Sequence, residues 1–195
     1  MVRLPRTWQR YYDTCTLNFQ PGTLTAPART VSAQHGWRFW HVDSKGLLWP
    51  PFVSLVGFPT HRVDWANEPL PVDGVAVARC PHGRTPAAPE CDCGVYFWPH
   101  AADMYRAVRM FGLVGDVRKV ITFGTVAGPF QTDTTFKGMD HVDLFRGLRC
   151  HTYRALCAIT TVECAMQWGY DIALEPYGAG VPFPDLSQIE KTYTA

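Results

Sequence analysis

Apolar residues dominate GWRFWHV, residues 36–42, with Arg38 and His41 set among them, in a run that is aromatic-rich and extended in character. Such a run predicts a β-strand. Trp37 and Phe39 fall on one side of that strand and Trp40 on the other, because successive side chains point to opposite faces. DSKG, residues 43–46, has turn chemistry, with Gly46 where a positive φ is cheap. LLWPPFVSLVGF follows, so residues 36–58 read as a hairpin. Pro50 and Pro51 cannot donate to a ladder, which makes the second strand an edge or breaks it there.

Residues 59–74 read as loop. VAVAR (75–79) and GVYFW (94–98) are short strand candidates, and the cysteine-rich segment between them reads as a long hairpin connection. Ala101, Met104, Tyr105, Val108 and Phe111 recur at helical spacing, with His100, Asp103, Arg106 and Arg109 opposite. Pro99 before and Gly112 after bound that helix at residues 100–111. VRKVITFGTVA (117–127) predicts a strand in which Gly124 marks a bulge or a close backbone approach. Residues 128–147 read as loop. Cys150, Cys157 and Cys164 are spaced by seven, which predicts a second helix over 150–168 carrying a buried cysteine stripe. The fold expected is α+β: a small antiparallel or mixed sheet, two packed helices and a cysteine/histidine loop. Residues 1–35 read as an irregular N-terminal arm, 36–170 as one domain and 171–195 as a Pro- and Gly-rich surface tail.

Composition narrows the classes. The 195 residues are 47% hydrophobic, 18% charged and 13% aromatic, which is enough to bury a core. A formal net charge of +1 gives no electrostatic case for nucleic acid or for an anionic membrane. No apolar run is long enough to span a bilayer, and the first fifteen residues lack the apolar stretch of a signal peptide. Seven cysteines, an odd count, argue against a full set of intramolecular disulfides. A reducing, cytoplasmic location is the expectation.

The chemistry concentrates in CPHGRTPAAPECDC, residues 80–93. Cys80, His82, Cys91 and Cys93 are a candidate Cys₃His ligand set, and zinc is the usual occupant of such a set. Pro86 and Pro89 limit the freedom the loop gives up on binding. Four protein ligands fill a tetrahedral shell and leave no place for a reacting water, so the zinc would be structural. A disulfide within the cluster and reduced, unliganded thiols are the competing readings.

Other groups are weaker. His61 and Asp64, with Asp140, His141 and Asp143, would make a metal-dependent hydrolase only if the two loops met in space. No Gly-x-Ser-x-Gly, P-loop or Gly-x-Gly-x-x-Gly occurs. Trp37, Trp40 and Trp49 on the predicted hairpin fill a core or, in part, form a patch for a partner. Arg106 and Arg109 are the matching candidates on the first helix, against a solvated face as the alternative.

GWRFW, the Cys80…His82…Pro89…Cys91-x-Cys93-Gly94-Val95-Tyr96 centre, Gly124 and the Gly147-Leu148-Arg149 entry resemble a family of small actinobacterial and actinophage proteins. That family shares a GWR-x-W strand and a Cys-x-Cys-Gly-Ile-Tyr-Ala centre; Phe97 stands here where Ala is usual. The resemblance spans roughly residues 36–165 and implies a cytoplasmic protein with a cysteine-centred core, without implying a reaction. The function expected is a non-enzymatic, zinc-stabilised module that engages another protein, a host factor if the chain is phage-encoded. A nucleic-acid-associated zinc protein and the hydrolase above are the alternatives.

Overall fold

The computed structural model describes residues 34–50, 68–80, 83–88, 93–132 and 147–194. In chain order the elements are β1 (His35–Val42), β2 (Leu48–Trp49), β3 (Val75–Val77), β4 (Val95–Phe97), α1 (Ala101–Phe111), β5 (Lys119–Ala127), β6 (Gln131–Thr132), β7 (Leu148–Cys150), β8 (Thr152–Thr161), α2 (Val162–Ala165), β9 (Ala173–Tyr177) and α3 (Leu186–Thr194).

The centre is antiparallel. β1 pairs with β5 from His35↔Thr125 to His41↔Lys119, and β5 pairs with β8 from Ile121↔Ile159 to Ala127↔Thr152. β2 flanks β1, while β3 (antiparallel) and β9 (parallel) divide the far edge of β8 between them. The expected mixed sheet is observed.

Gly124 makes the expected bulge. Phe123 pairs with Cys157 but Gly124 pairs with Ala155, so Leu156 has no counterpart on β5. A Cβ at position 124 would stand 2.1 Å from the Arg154 carbonyl oxygen, a distance no side chain tolerates. The extra residue flips the alternation of β8. Tyr153, Ala155 and Ala158 therefore belong to one core, and Cys157 and Ile159 to the other.

One core lies between the sheet and helices α1 and α3, built on Trp37, Phe39, Ile121, Phe123, Met104, Leu186 and Ile189. The other is enclosed by strands. β6 follows β5 after residues 128–130, and β7 enters β8 through His151 alone. Both long strands thus bend into the second sheet, whose order is β4-β7-β6. β4 then reaches β1: Trp37 N–H donates to the Trp98 carbonyl at 2.7 Å and Trp98 N–H to the Trp37 carbonyl at 2.8 Å. The result is a small barrel-like ring around Trp40, Val95, Phe97, Val120, Cys150 and Tyr153.

Two expectations fail here. Residues 150–168 are strands β7 and β8, with helix only at Val162–Ala165. Thr152, Tyr153, Ile159, Thr160 and Thr161 lose side-chain freedom in a helix and pack well on a pleated surface. The seven-residue cysteine spacing carries no helical meaning. The second packed helix is α3, inside the expected surface tail, with Leu186 and Ile189 buried.

α3 is tied to α1 by reciprocal capping. His100 provides no side-chain cap to α1, and Glu190 Oε2 accepts from Ala101 N–H at 2.7 Å instead. In return Tyr105 Oη accepts from Leu186 N–H at 2.9 Å and donates to Asp185 Oδ1 at 3.0 Å. Each helix thereby satisfies donors that the other's first turn leaves open.

Candidate functional site

β3 and β4 do not pair with each other, so the segment between them is no hairpin connection. β6 stays on β5's edge of the bent β7–β8 strand, because residues 128–130 are too short a link for a crossing. β4 therefore occupies the opposite edge, where β3 also lies. Ala78 N–H donates to the His151 carbonyl at 2.8 Å, and Val95 registers on Cys150. The chain leaves this edge beside His151 and rejoins it beside the adjacent residue, running in the same direction. β3 and β4 are one edge strand, interrupted by an excursion over residues 79–94.

Cys80 and Cys93 stand at the neck of that excursion, each two residues from its anchor. Cys80 is half-buried and Cys93 is buried. Gly83 N–H donates to the Cys80 carbonyl at 3.2 Å, and Ala87 N–H to the Cys93 carbonyl at 2.8 Å. Ala87 is fully buried with φ +63°, a left-handed conformation that non-glycine residues rarely hold. His82 and Cys91, the other two candidate ligands, lie outside the described residues, and among those described no group of three or more His, Cys, Asp or Glu is placed to hold a metal.

Arg149 floors the neck. Its neighbours Leu148 and Cys150 point into the barrel, so Arg149 points outward. It is nonetheless only 1% exposed. Its Nη1 donates to the Cys93 carbonyl at 3.0 Å. Gly94, at φ +151°, lies so close that a Cβ there would stand 2.9 Å from Arg149 Cβ. The Cys-x-Cys-Gly sequence ends in glycine because the loop must lie down on this side chain.

A second arginine is buried inside the barrel. Arg38 lies over the Trp40 ring at 4.4 Å and its Nη1 donates to the Tyr96 carbonyl. Its Nε–H has no hydrogen-bond partner. Burial lowers its pKa to about 10, so it stays charged at neutral pH. Beside it, Trp40 Nε1 donates to Thr122 Oγ1 at 2.9 Å, and Thr122 Oγ1 lies 2.8 Å from Tyr153 Oη. Burial pushes the Cys150 and Cys157 thiols up to about 12, so both are un-ionised at neutral pH and behave as small core residues. Cys150 faces the barrel and Cys157 the helices, so the expected common cysteine face does not exist.

The expected partner-binding aromatics are corrected in part. Trp37 is 0% exposed and Trp40 1%, which removes both from any surface patch. Trp49 is half-buried and donates from Nε1 to Asp43 Oδ2 at 2.9 Å, fixing the β1–β2 turn. Arg106 and Arg109 are exposed on α1; Arg106 pairs with Asp103 at 3.3 Å. Asp103, expected on the solvated side, is buried by that arrangement. His61, Asp64, Asp140, His141 and Asp143 lie outside the described residues.

Arg38 and Arg149 were not anticipated as buried groups. The signal was present: each is an arginine flanked by apolar residues within a short strand, in WRF and LRC. Comparison of the chain with family models, with curated proteins and with solved structures gives no match. No helix among the described residues is long and apolar enough to cross a membrane.

Proposed function

We propose that this chain is a non-enzymatic, zinc-stabilised binding module that engages another protein. One observation supports it above the rest: Cys80 and Cys93 sit at the two sides of a neck whose anchors register on the adjacent residues Cys150 and His151. Residues thirteen apart in sequence are thereby held on the same side of one strand edge, which is the preorganisation a four-ligand clasp with His82 and Cys91 needs. Such a shell offers no open coordination position, so the metal serves architecture. The exposed Arg106 and Arg109 on α1 and the exposed Gly83, Arg84 and Thr85 are the faces offered to a partner. If the chain is phage-encoded, as the resemblance to actinobacterial and actinophage proteins allows, that partner is a host factor.

The test is elemental analysis of the purified full chain together with affinity capture. The expected result is about one zinc per chain, and a captured protein that is lost both when zinc is stripped and in an Arg106→Glu/Arg109→Glu double variant. Zinc-free protein, or capture indifferent to both changes, contradicts the proposal.

A further inference from the structure

The bonds and ring contacts that seat α3 run to β1, α1 and β5. Leu186 and Ile189 are buried in the core built on Trp37, Met104 and Phe123. The Tyr193 ring lies 6.3 Å from that of Phe123. Glu190 Oε2 accepts from Ala101 N–H at 2.7 Å and from Trp37 Nε1 at 3.4 Å, and Leu186 N–H donates to Tyr105 Oη at 2.9 Å. The link that delivers α3 is of the opposite kind. β9 ends at Tyr177, and the next residues form a tight turn. Gly178 N–H donates to the Val181 carbonyl at 2.7 Å and Val181 N–H to the Gly178 carbonyl at 2.9 Å. Between them Ala179 and Gly180 hold φ of +51° and +93°. Positive φ at both central positions is the type I′ pattern, which suits Gly, Asn and Asp. Ala179 carries a Cβ and adopts its left-handed conformation at a cost. Ala179 and Gly180 are exposed, and a Cβ built at Gly178 or Gly180 meets nothing within 4 Å. Opening the turn therefore gives up two backbone bonds and little packing, and it releases the strain at Ala179. Pro182 and Pro184 fix φ on the helix side, so the turn is the part of the link left to swing.

From this we infer that α3 exchanges between two copies of the chain, each copy's α3 seating on the other's β1, α1 and β5, with the Gly178–Val181 turn as the hinge. The partner fitted to this surface is a second copy of the chain, because its α3 brings Leu186, Ile189 and the Glu190 cap in the spacing that the surface already accepts. Exchange remakes these contacts between chains and leaves only the hinge and the lost freedom of association to separate dimer from monomer. The arrangement is reciprocal, so it closes on two chains. It is independent of the zinc reading and uses a different face from the exposed arginines of α1.

The test is light scattering of the full chain over a concentration series, after isotope-labelled and unlabelled chains have been refolded together. The expected result is a dimer whose fraction rises with protein concentration. An isotope-filtered Overhauser contact should then connect Phe123 of one chain to Tyr193 of the other. Ala179→Gly, which relieves the turn in place, should lower the dimer association constant by at least about fivefold. A chain that stays monomeric up to its solubility limit overturns the inference. So does a dimer in which the Phe123–Tyr193 contact stays within one chain, because that dimer forms through another surface. An Ala179→Gly chain that dimerises as the wild type does overturns it as well, since the turn would then not be the hinge.

Discussion

In the barrel, β5 and β8 pair from Ile121↔Ile159 to Ala127↔Thr152 with one bulge at Gly124, and most side chains on both faces are buried. Between β3 and β4, the described residues are joined by backbone bonds from Gly83 N–H to the Cys80 carbonyl and from Ala87 N–H to the Cys93 carbonyl, and the side chain beneath is the buried Arg149. The first region holds its shape by burying apolar area on two sides of a long, once-bulged ladder. The second has a narrow neck and a concentration of soft ligands. The difference teaches where the proposed zinc would sit: at the excursion that carries Cys80 and Cys93, not at the ladder that already has two cores.

Breaking the barrel side should produce the largest losses. Trp40→Ala removes a fully buried ring, the cover over Arg38 and the donor to Thr122. It should cost about 3–5 kcal/mol in denaturant unfolding, as aromatic truncations in cores do. A loss below about 1 kcal/mol would mean that the barrel interior is not packed as described. Gly124→Ala drives a Cβ into the Arg154 carbonyl, and about 1–3 kcal/mol is expected from the overpacking. A neutral outcome would remove the bulge as the device that switches β8 between the two cores.

A smaller effect depends on pH. His41 is held down to about 4, chiefly by burial and then by Lys119. Its folded pKa lies below its unfolded one, so the fold is favoured above the ordinary imidazole range and loses that support as pH falls toward 4. His41→Gln should flatten the loss of stability over that acid window. Titrating unfolding midpoints of both chains checks it, and parallel curves would show that His41 does not carry the acid sensitivity. Glu190→Ala strips the cap from α1 and should cost about 1 kcal/mol. Glu190→Gln, which keeps an acceptor, should recover part of it; equal losses would mean that the contact with Ala101 N–H contributes nothing.

The excursion is probed last. Cys80→Ser should abolish the proposed zinc binding and lower the unfolding free energy by about 1 kcal/mol or more, as loss of a structural metal does. Unfolding midpoints that match wild type would show that no structural metal sits there.

Much of the central sheet was legible in the sequence, because its signals are local. The aromatic-rich GWRFW strand, the DSKG turn, the α1 periodicity between Pro99 and Gly112, and Gly124 as a bulge all match what forms. Residues 150–161 misled because three cysteines at heptad spacing imitate a helical face, and the β-branched run beside them was given too little weight. The end of the chain misled for another reason. β9 and α3 are polar and proline-flanked locally, and they are held by remote partners: Cys157–Thr161 for β9, Ala101 and Tyr105 for α3. At the candidate site, sequence could name the ligand types but not the topology. That β3 and β4 share one edge depends on where β7 runs, and nothing in CPHGRTPAAPECDC encodes it.

Metal content of the intact chain, purified without added zinc and measured by mass spectrometry under non-denaturing conditions, tests the central claim most directly. The account predicts a species heavier than the bare chain by one zinc ion, collapsing to the bare mass in Cys80→Ser. A wild-type chain found only at its bare mass, or lighter by the hydrogens lost to a disulfide between Cys80 and Cys93, would contradict it.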